Sequence, residues 1–393
     1  MIITWKHLSE ISSNIFAGGT PDTKREDFYG GDIPWLRSGE IDFNVIKSAE
    51  KNITQLGYEN SSARWIKPKS VIMAMTGATV AKCATLEIES TANQSVCAIE
   101  PSEELNYKFL YYYLASKYVS IKGMAQGVLT SLNLQLIKRI EIPVPPIKEQ
   151  KEIVVKLDVF TSLISKLDEE IELRKKQLES YLNTVFGANL KEAEERAAGN
   201  VLELKTLSEL GTFTRGKRFV REDVVESGVP CIHYGDMYTY YGLWATQTKT
   251  FITEEKAKNL RFARKDDVVI VGAGENDWDI GVGLAWLGEE DAAVHDACYI
   301  LQHQQNPKYI SYFLRSGNYH LQIRGSVSSG KICSISARDL GKAKILISKD
   351  VNEQNAIVEK LDAFTTLISK LEEERDLRQK QYEYYREKLL TFE

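Results

Sequence analysis

Two stretches of the chain share one hydrophobic rhythm. From Ile153 the apolar positions run Ile153, Leu157, Phe160, Ile164, Leu167, Ile171, then Leu178, Tyr181 and Val185. Steps of four and three alternate, which predicts a long helix carrying a coiled-coil seam. A second run follows the same rhythm through Ile357, Leu361, Phe364, Ile368, Leu371, then Tyr382, Tyr385 and Leu389. The two segments, beginning at Glu149 and Glu353, align without a gap and are about two-thirds identical, so they are copies of one unit. Arg174 and Arg378 interrupt the seam at matching places, each four residues after a glutamate, Glu170 and Glu374, in the favourable order for an ion pair. A duplicated unit related by a two-fold axis would pair its helices antiparallel. Leu157, Phe160, Ile164 and Leu167, with Leu361, Phe364, Ile368 and Leu371, are the expected seam and subunit-assembly residues. Each helix would be roughly 50 Å long at 1.5 Å per residue. The competing reading has each helix packing only on its own domain.

Outside the helices the pattern changes. Short Val/Ile-rich runs, SVIMAM, SVCAIE, DVVIVG and ACYILQ, read as strands. KFLYYYLASKYV and KYISYFLRSGNYHLQI read as helices. The segments ahead of the long helices also match in pairs: WKHLSEI with LKTLSEL, IPWLRSGEI with VPCIHYGDM, VIMAMTGA with VVIVGAGE, and SVCAI with DACYI. The expected architecture is α+β: a globular domain at 1–148, a helix and linker at 149–199, a second domain at 200–348 and a second helix at 349–393. Prolines 143, 145 and 146 forbid helix just before the first copy, and Gly187 and Gly199 are candidate stops after it. The domains have diverged while the helices have not.

Charge sharpens this division. The net charge of −5 splits into +1 over 1–148, −3 over 149–199, 0 over 200–348 and −3 over 349–393. The acidity sits in the helices, and a neutral domain can still present one basic face to nucleic acid. The five cysteines are scattered and never spaced as Cys-x-x-Cys, which argues against a disulfide framework or zinc site and for a reducing cytoplasm. The opening residues carry no basic-then-apolar leader, and no apolar run is long enough for a bilayer. No metal, cofactor or membrane is expected.

Three loops per domain are candidates to face DNA. The first holds Gly18, Gly19, Thr20, Lys24 and Arg25, matched by Arg215, Lys217, Arg218 and Arg221. Glycines let a backbone approach a phosphate, and Arg supplies charge or reads guanine. The second is Arg37-Ser38-Gly39 against His233-Tyr234-Gly235; the third surrounds Gln126 and, in the second half, Lys331. The tyrosines at 107, 111, 112 and 118 read as core rather than as a base-stacking platform. The stretch Gly272-Ala273-Gly274-Glu275-Asn276-Asp277-Trp278-Asp279 lacks the full dinucleotide fingerprint, and neither a methyltransferase Asn/Asp-Pro-Pro-aromatic motif nor a P-loop is present. His233 and His295 read as hydrogen-bonded framework groups.

In order along the chain stand Gly18-Gly19-Thr20-Pro21, Gly31-Asp32-Ile33-Pro34-Trp35, Gly77-Ala78-Thr79, and Ile142-Pro143-Val144-Pro145-Pro146 before Glu149-Gln150. This order resembles the target-recognition domain and following helix of type I restriction-modification specificity subunits, and the resemblance covers both halves. It implies a non-catalytic subunit whose two domains each read half of a split DNA site in the major groove. It also implies an antiparallel coiled coil that sets the gap, two docked methyltransferase subunits, and restriction-translocase subunits completing the enzyme. The second half departs from the pattern: Arg218-Phe219 stands near the Thr-Pro position, Cys231 replaces the tryptophan, and residues 345–348 lack the prolines. Two alternatives remain. One is the specificity subunit of a related two-subunit restriction system. The other is a structural coiled-coil tether without a DNA role.

Overall fold

The computed structural model describes residues 3–125, 131–198 and 202–392. Two compact units emerge. Unit 1 holds residues 1–168 and 373–393, and unit 2 holds residues 169–372. Each unit thus contains one globular domain, part of the helix that follows it, and part of the other long helix.

The two domains repeat one topology. In unit 1 a five-stranded sheet runs Ser12–Ala17, Val96–Pro101, Val71–Ala74, Cys83–Leu86, Val45–Ile46 in spatial order. Unit 2 has the same order: Gly211–Arg215, Cys298–His303, Val268–Val271, Gly283–Trp286, Trp244–Ala245. Central strands such as VIMA and VVIV are buried at every position, which is why they read as unbroken apolar runs rather than alternating ones. In unit 1, one sheet face joins Val71, Met73, Cys97 and Ile99 to Phe109, Leu110 and Leu157. The opposite face joins Ile72, Ala74, Val96 and Ala98 to Phe16 and Leu36. Before each long helix, a two-stranded ladder ties the start of the domain to its end, Thr4–His7 with Glu141–Val144 and Glu203–Thr206 with Lys344–Ile347.

Strand register corrects one of the pairings read from sequence. Cys97 and Cys298 look like counterparts, but Val71 faces Ile99 while Val268 faces Leu301. The true partner of Cys97 is therefore Tyr299, one residue on. A one-residue slip moves every side chain to the other face of a sheet, so the matched cysteines do not share an environment.

The long helices run Ile147–Phe186 and Val351–Leu390, 40 residues each. At 1.5 Å per residue that is about 60 Å, longer than the heptad pattern suggested. The first begins directly after Pro146, whose carbonyl accepts the Glu149 N–H at 2.8 Å. It ends at Gly187, whose φ of +79° suits glycine alone at low strain. The segment that follows, read as a connector, carries a short helix, Leu190–Ala197, capped by Asn189 and buried at Ala193.

Both units contain an antiparallel helix contact. In unit 1, Phe160 stacks on Tyr385 with centroids 5.3 Å apart, and Asp168 accepts from Arg375 at 3.1 Å. In unit 2, Tyr181 meets Phe364 at 5.9 Å, and Lys175 pairs with Glu372 at 2.7 Å. The contact numbers fall in one partner as they rise in the other, as antiparallel pairing requires. The first turns of each helix do something further. Leu157 and Leu361 are wholly buried and belong to the cores of their own domains. Seam packing and domain docking are therefore both present, at different heights of the same helix.

Docking is specified by polar residues common to both copies. Gln150 is fully buried; its Oε1 accepts the Asn106 N–H at 2.8 Å, and its Nε2 donates to the carbonyls of Glu104 and Pro145. Gln354 repeats this with the Asn306 N–H at 3.0 Å and the Ser348 carbonyl. Asp158 accepts from Lys108 at 2.6 Å and from the Tyr112 hydroxyl at 2.7 Å. Asp362 does the same with Lys308 and Tyr312, at 2.7 and 2.8 Å. Burial pushes the hydroxyls of Tyr112 and Tyr312 upward in pKa, so they stay neutral donors to these carboxylates.

Among the described residues, no helix is long and apolar enough to cross a membrane, and no cluster of three or more His, Cys, Asp or Glu could hold a metal.

Candidate nucleic-acid interface

The first two candidate loops sit on one backbone frame in each domain. In unit 1 the Gly18 N–H donates to the Val96 carbonyl at 3.0 Å and the Gly19 N–H to that of Ala92 at 2.8 Å. In unit 2 the Gly216 N–H donates to Cys298 at 2.9 Å and the Lys217 N–H to Val294 at 3.0 Å. Asn93 N–H reaches the Leu36 carbonyl at 2.8 Å, and His295 N–H reaches Ile232 at 3.2 Å. These bonds place four pairs of residues at equivalent points: Thr20 with Arg218, Arg37 with His233, Asn93 with His295, and Gln94 with Asp296.

The glycines have a different reason from the one expected. Gly18 and Gly19 are buried and their N–H groups are already spent on carbonyls of the chain. A Cβ on Gly18 would fall 2.2 Å from the Ala92 oxygen, and one on Gly216 would fall 2.2 Å from that of His295. Glycine is thus required by close packing of the chain on itself.

The side chains on this shared frame differ in chemistry. In unit 1, Thr20 donates to the Gln94 amide oxygen, and Trp35 donates from Nε1 to the Gly19 carbonyl at 3.0 Å. Arg37 is tied to Glu50 and lies 3.8 Å from Glu40, so its charge is locally balanced. Arg25 is paired with Asp27 at 2.6 Å, while Lys24 stands exposed with no ion pair among the described residues. In unit 2 the same place holds a cluster of rings. His233 and His295 lie 4.8 Å apart, with Tyr234 at 4.7 and 5.2 Å from them and Phe219 at 6.0 and 5.1 Å. The Gly235 N–H donates to His233 Nδ1 and the Ala297 N–H to His295 Nδ1, which puts each neutral ring's proton on Nε2. Burial holds both imidazoles below their ordinary pKa, and for His295 the neighbouring His233 adds to the effect. Lys217, Arg218 and Arg221 are exposed at the rim, and Arg215 donates from Nε to the Asp296 carbonyl at 2.7 Å.

The third loop joins the same core through Cys333 and Ile335. Lys331 is exposed on a turn closed by a Ser328–Ser334 bridge, and Cys333–Ser334 pairs with Ala273–Gly274. Gln126, its counterpart in the first domain, lies outside the described residues. Of the tyrosines read as core, Tyr112 is 3% exposed and Tyr107, Tyr111 and Tyr118 pack partly against the same cluster.

Sequence reading missed Asn93, Gln94 and Asp296, whose loop was not among the candidates and is brought to the others only by backbone bonds to Gly19, Leu36 and their counterparts. It also missed Arg64 and Arg261. Residues 63–74 and 260–271 align without a gap, with Arg64 opposite Arg261, and Lys69 and Asp266 share positive φ values of 65° and 72°. That gapless match was the available signal.

The comparisons with known proteins agree with this duplicated frame. The family model described as type I restriction modification DNA specificity domain matches residues 4–173 and again 202–378. A putative type I restriction enzyme specificity subunit of Haemophilus influenzae is 27% identical over 99% of this chain and 96% of its own length. A type I restriction enzyme specificity subunit of Escherichia coli is 31% identical, over 47% of this chain and 48% of its own length. The crystal structure of the type I restriction-modification system S subunit from M. genitalium superposes with a TM-score of 0.60 at 16% identity, covering 100% of this chain and 97% of that one. The chain belongs to the type I restriction-modification DNA specificity family.

Proposed function

We propose that this chain reads a bipartite DNA site and carries no catalytic step of its own. Residues 1–148 and 200–348 each read one half-site in the major groove. The helix segments at 149–199 and 349–393 set the gap and dock two methyltransferase subunits, to which restriction-translocase subunits add. One observation carries this reading: a single backbone frame occurs twice, with different side chains at equivalent points, on helices that are about two-thirds identical. Such a pattern suits readers of different sequences mounted on a common scaffold. Of the candidate residues, Thr20, Arg37, Arg218, His233 and Tyr234 would meet base edges. Lys24, Arg25, Arg215, Lys217, Arg221 and Lys331 would line the approach.

The gap tests it. Two separate half-sites in the major groove should lie about one helical turn apart, near 34 Å. Inserting one heptad into both helices, near Lys175 and Gln379, keeps the apolar seam and adds about 10 Å at 1.5 Å per residue. That is about three base pairs of rise. Methylated adenines mapped across the genome should then show a longer gap or lost modification. Full modification at the original spacing would overturn the reading.

A further inference from the structure

The two halves of this chain share a frame but read different half-sites under the proposed function, on which this inference rests. A duplicated reader sorts its own residues. Positions that differ between the copies can contact what varies in DNA, the base edges. Positions that stay the same can contact what does not vary, the phosphate backbone. Thr20/Arg218, Arg37/His233, Asn93/His295 and Gln94/Asp296 all differ. Beside them one cation does not.

Arg64 and Arg261 occupy equivalent positions, three residues before a conserved turn whose apex has positive φ in both copies. Both are exposed, and neither makes an ion pair with a carboxylate among the described residues. Both border the glycine turn. A Cβ on Gly19 would lie 2.3 Å from the nitrogen of Ala63, the residue before Arg64. In unit 2 the Val294 N–H donates to the Arg261 carbonyl at 2.9 Å, while the Val294 carbonyl takes the Lys217 N–H. Each guanidinium is also braced. Arg64 lies 4.0 Å above the Phe16 ring, and Arg261 donates from Nη1 to the Arg215 carbonyl at 2.6 Å. The braces use one face or one nitrogen and leave the remaining N–H donors of the fork free. Arg37, by contrast, is held by two glutamates.

We propose that Arg64 and Arg261 are the backbone anchors of the two domains, each binding a DNA phosphodiester without regard to sequence. A braced, uncompensated fork beside the reading loops suits bidentate contact with phosphate oxygens.

The test uses the assembled complex with its methyltransferase subunits, on a duplex carrying its mapped methylation site and on one of unrelated sequence. Arg64→Gln and Arg261→Gln should each weaken binding to both duplexes by a similar factor. Each should make the slope of log K against log salt shallower by about 1. Arg64→Lys and Arg261→Lys should keep the slope, and the methylated site should not change. Three results would overturn the assignment: a changed base preference in either half-site, which makes the residue a base reader; weaker binding at an unchanged slope, which makes it only a brace; or unchanged binding. Thermal unfolding of each variant separates loss of the brace from loss of the contact. Failure of the unmodified complex to bind its site preferentially would instead sink the underlying reading of the domains as DNA readers.

Discussion

Unit 1 and unit 2 are built on the same five-stranded order and the same helix docking, yet they differ in the side chains that fill one end of the frame. Unit 1 places hydrogen-bonding and ion-paired groups there: Thr20 with Gln94, and Arg37 with Glu40 and Glu50. Unit 2 places packed rings there, Phe219, His233, Tyr234 and His295, beside Lys217, Arg218 and Arg221, which make no ion pair among the described residues. Backbone hydrogen bonds hold the frame in both, so side chains on it are free to diverge. The difference teaches that one fold can carry two surface chemistries when its loops are fixed by main-chain bonds rather than by the side chains they display.

The comparison is most strongly tested where the units should behave alike. Leu157 and Leu361 are fully buried at equivalent places, so Leu157→Ala and Leu361→Ala should each cost about 2–5 kcal/mol. Hydrogen exchange should show unit 1 loosening in the first variant and unit 2 in the second. Equal loosening of both units by either change would show that the units do not fold around separate cores.

Acid should divide them. Of the five histidines, four lie in unit 2: His233, His295, His303 and His320. Burial lowers the pKa of all four, and for His303 it reaches about 4. The folded state holds these protons less tightly than the unfolded chain. Their contribution is therefore present above an unfolded value near 6.5 and is lost as pH falls through the depressed folded values. For His303 alone the loss is on the order of 3 kcal/mol by pH 4. Hydrogen exchange between pH 7 and 4.5 should show unit 2 opening first. His303→Asn keeps an acceptor for the Gln305 N–H and should flatten the pH dependence. Simultaneous acid loosening of both units would contradict this.

Under the proposed function, loss of a base contact in unit 2 should cost about 1–3 kcal/mol of discrimination at one position. In the assembled complex, Arg218→Ala should relax one base position, and Lys331→Ala should weaken binding evenly with a shallower salt slope. The relaxed position should fall in the half-site that the proposed function assigns to residues 200–348. Methylation mapping that shows altered preference in the other half-site would break the separation of the two readers.

The smallest effect belongs to the helix surface. Lys175 and Glu372 pair at 2.7 Å but are each about half exposed, so Lys175→Ala should cost no more than about 0.5 kcal/mol and less in high salt. A thermal shift comparable to that of Leu361→Ala would mean the pair does more than decorate the seam.

The sequence by itself determined the duplication, the long helices and the main strands, because each rests on local periodicity repeated twice. Heptad spacing placed Phe160 and Phe364 each on the seam face of its own helix, and unbroken Val/Ile runs marked the central strands. Tertiary structure decided the rest. The register that makes Tyr299 rather than Cys298 the counterpart of Cys97 depends on which strand lies alongside each, and no local pattern reports that. Asp158 and Lys108 are 50 residues apart in the chain, so their contact is invisible to any local window. Gly18 and Gly19 suggested an opening toward phosphate, but only the fold shows the Ala92 and Ser62 backbones filling that space. Arg64 gained its candidate role in the same way, through the glycine turn and the Phe16 ring that the fold brings against it. Periodicity is a property of neighbours along the chain, whereas docking, register and site assembly are properties of neighbours in space.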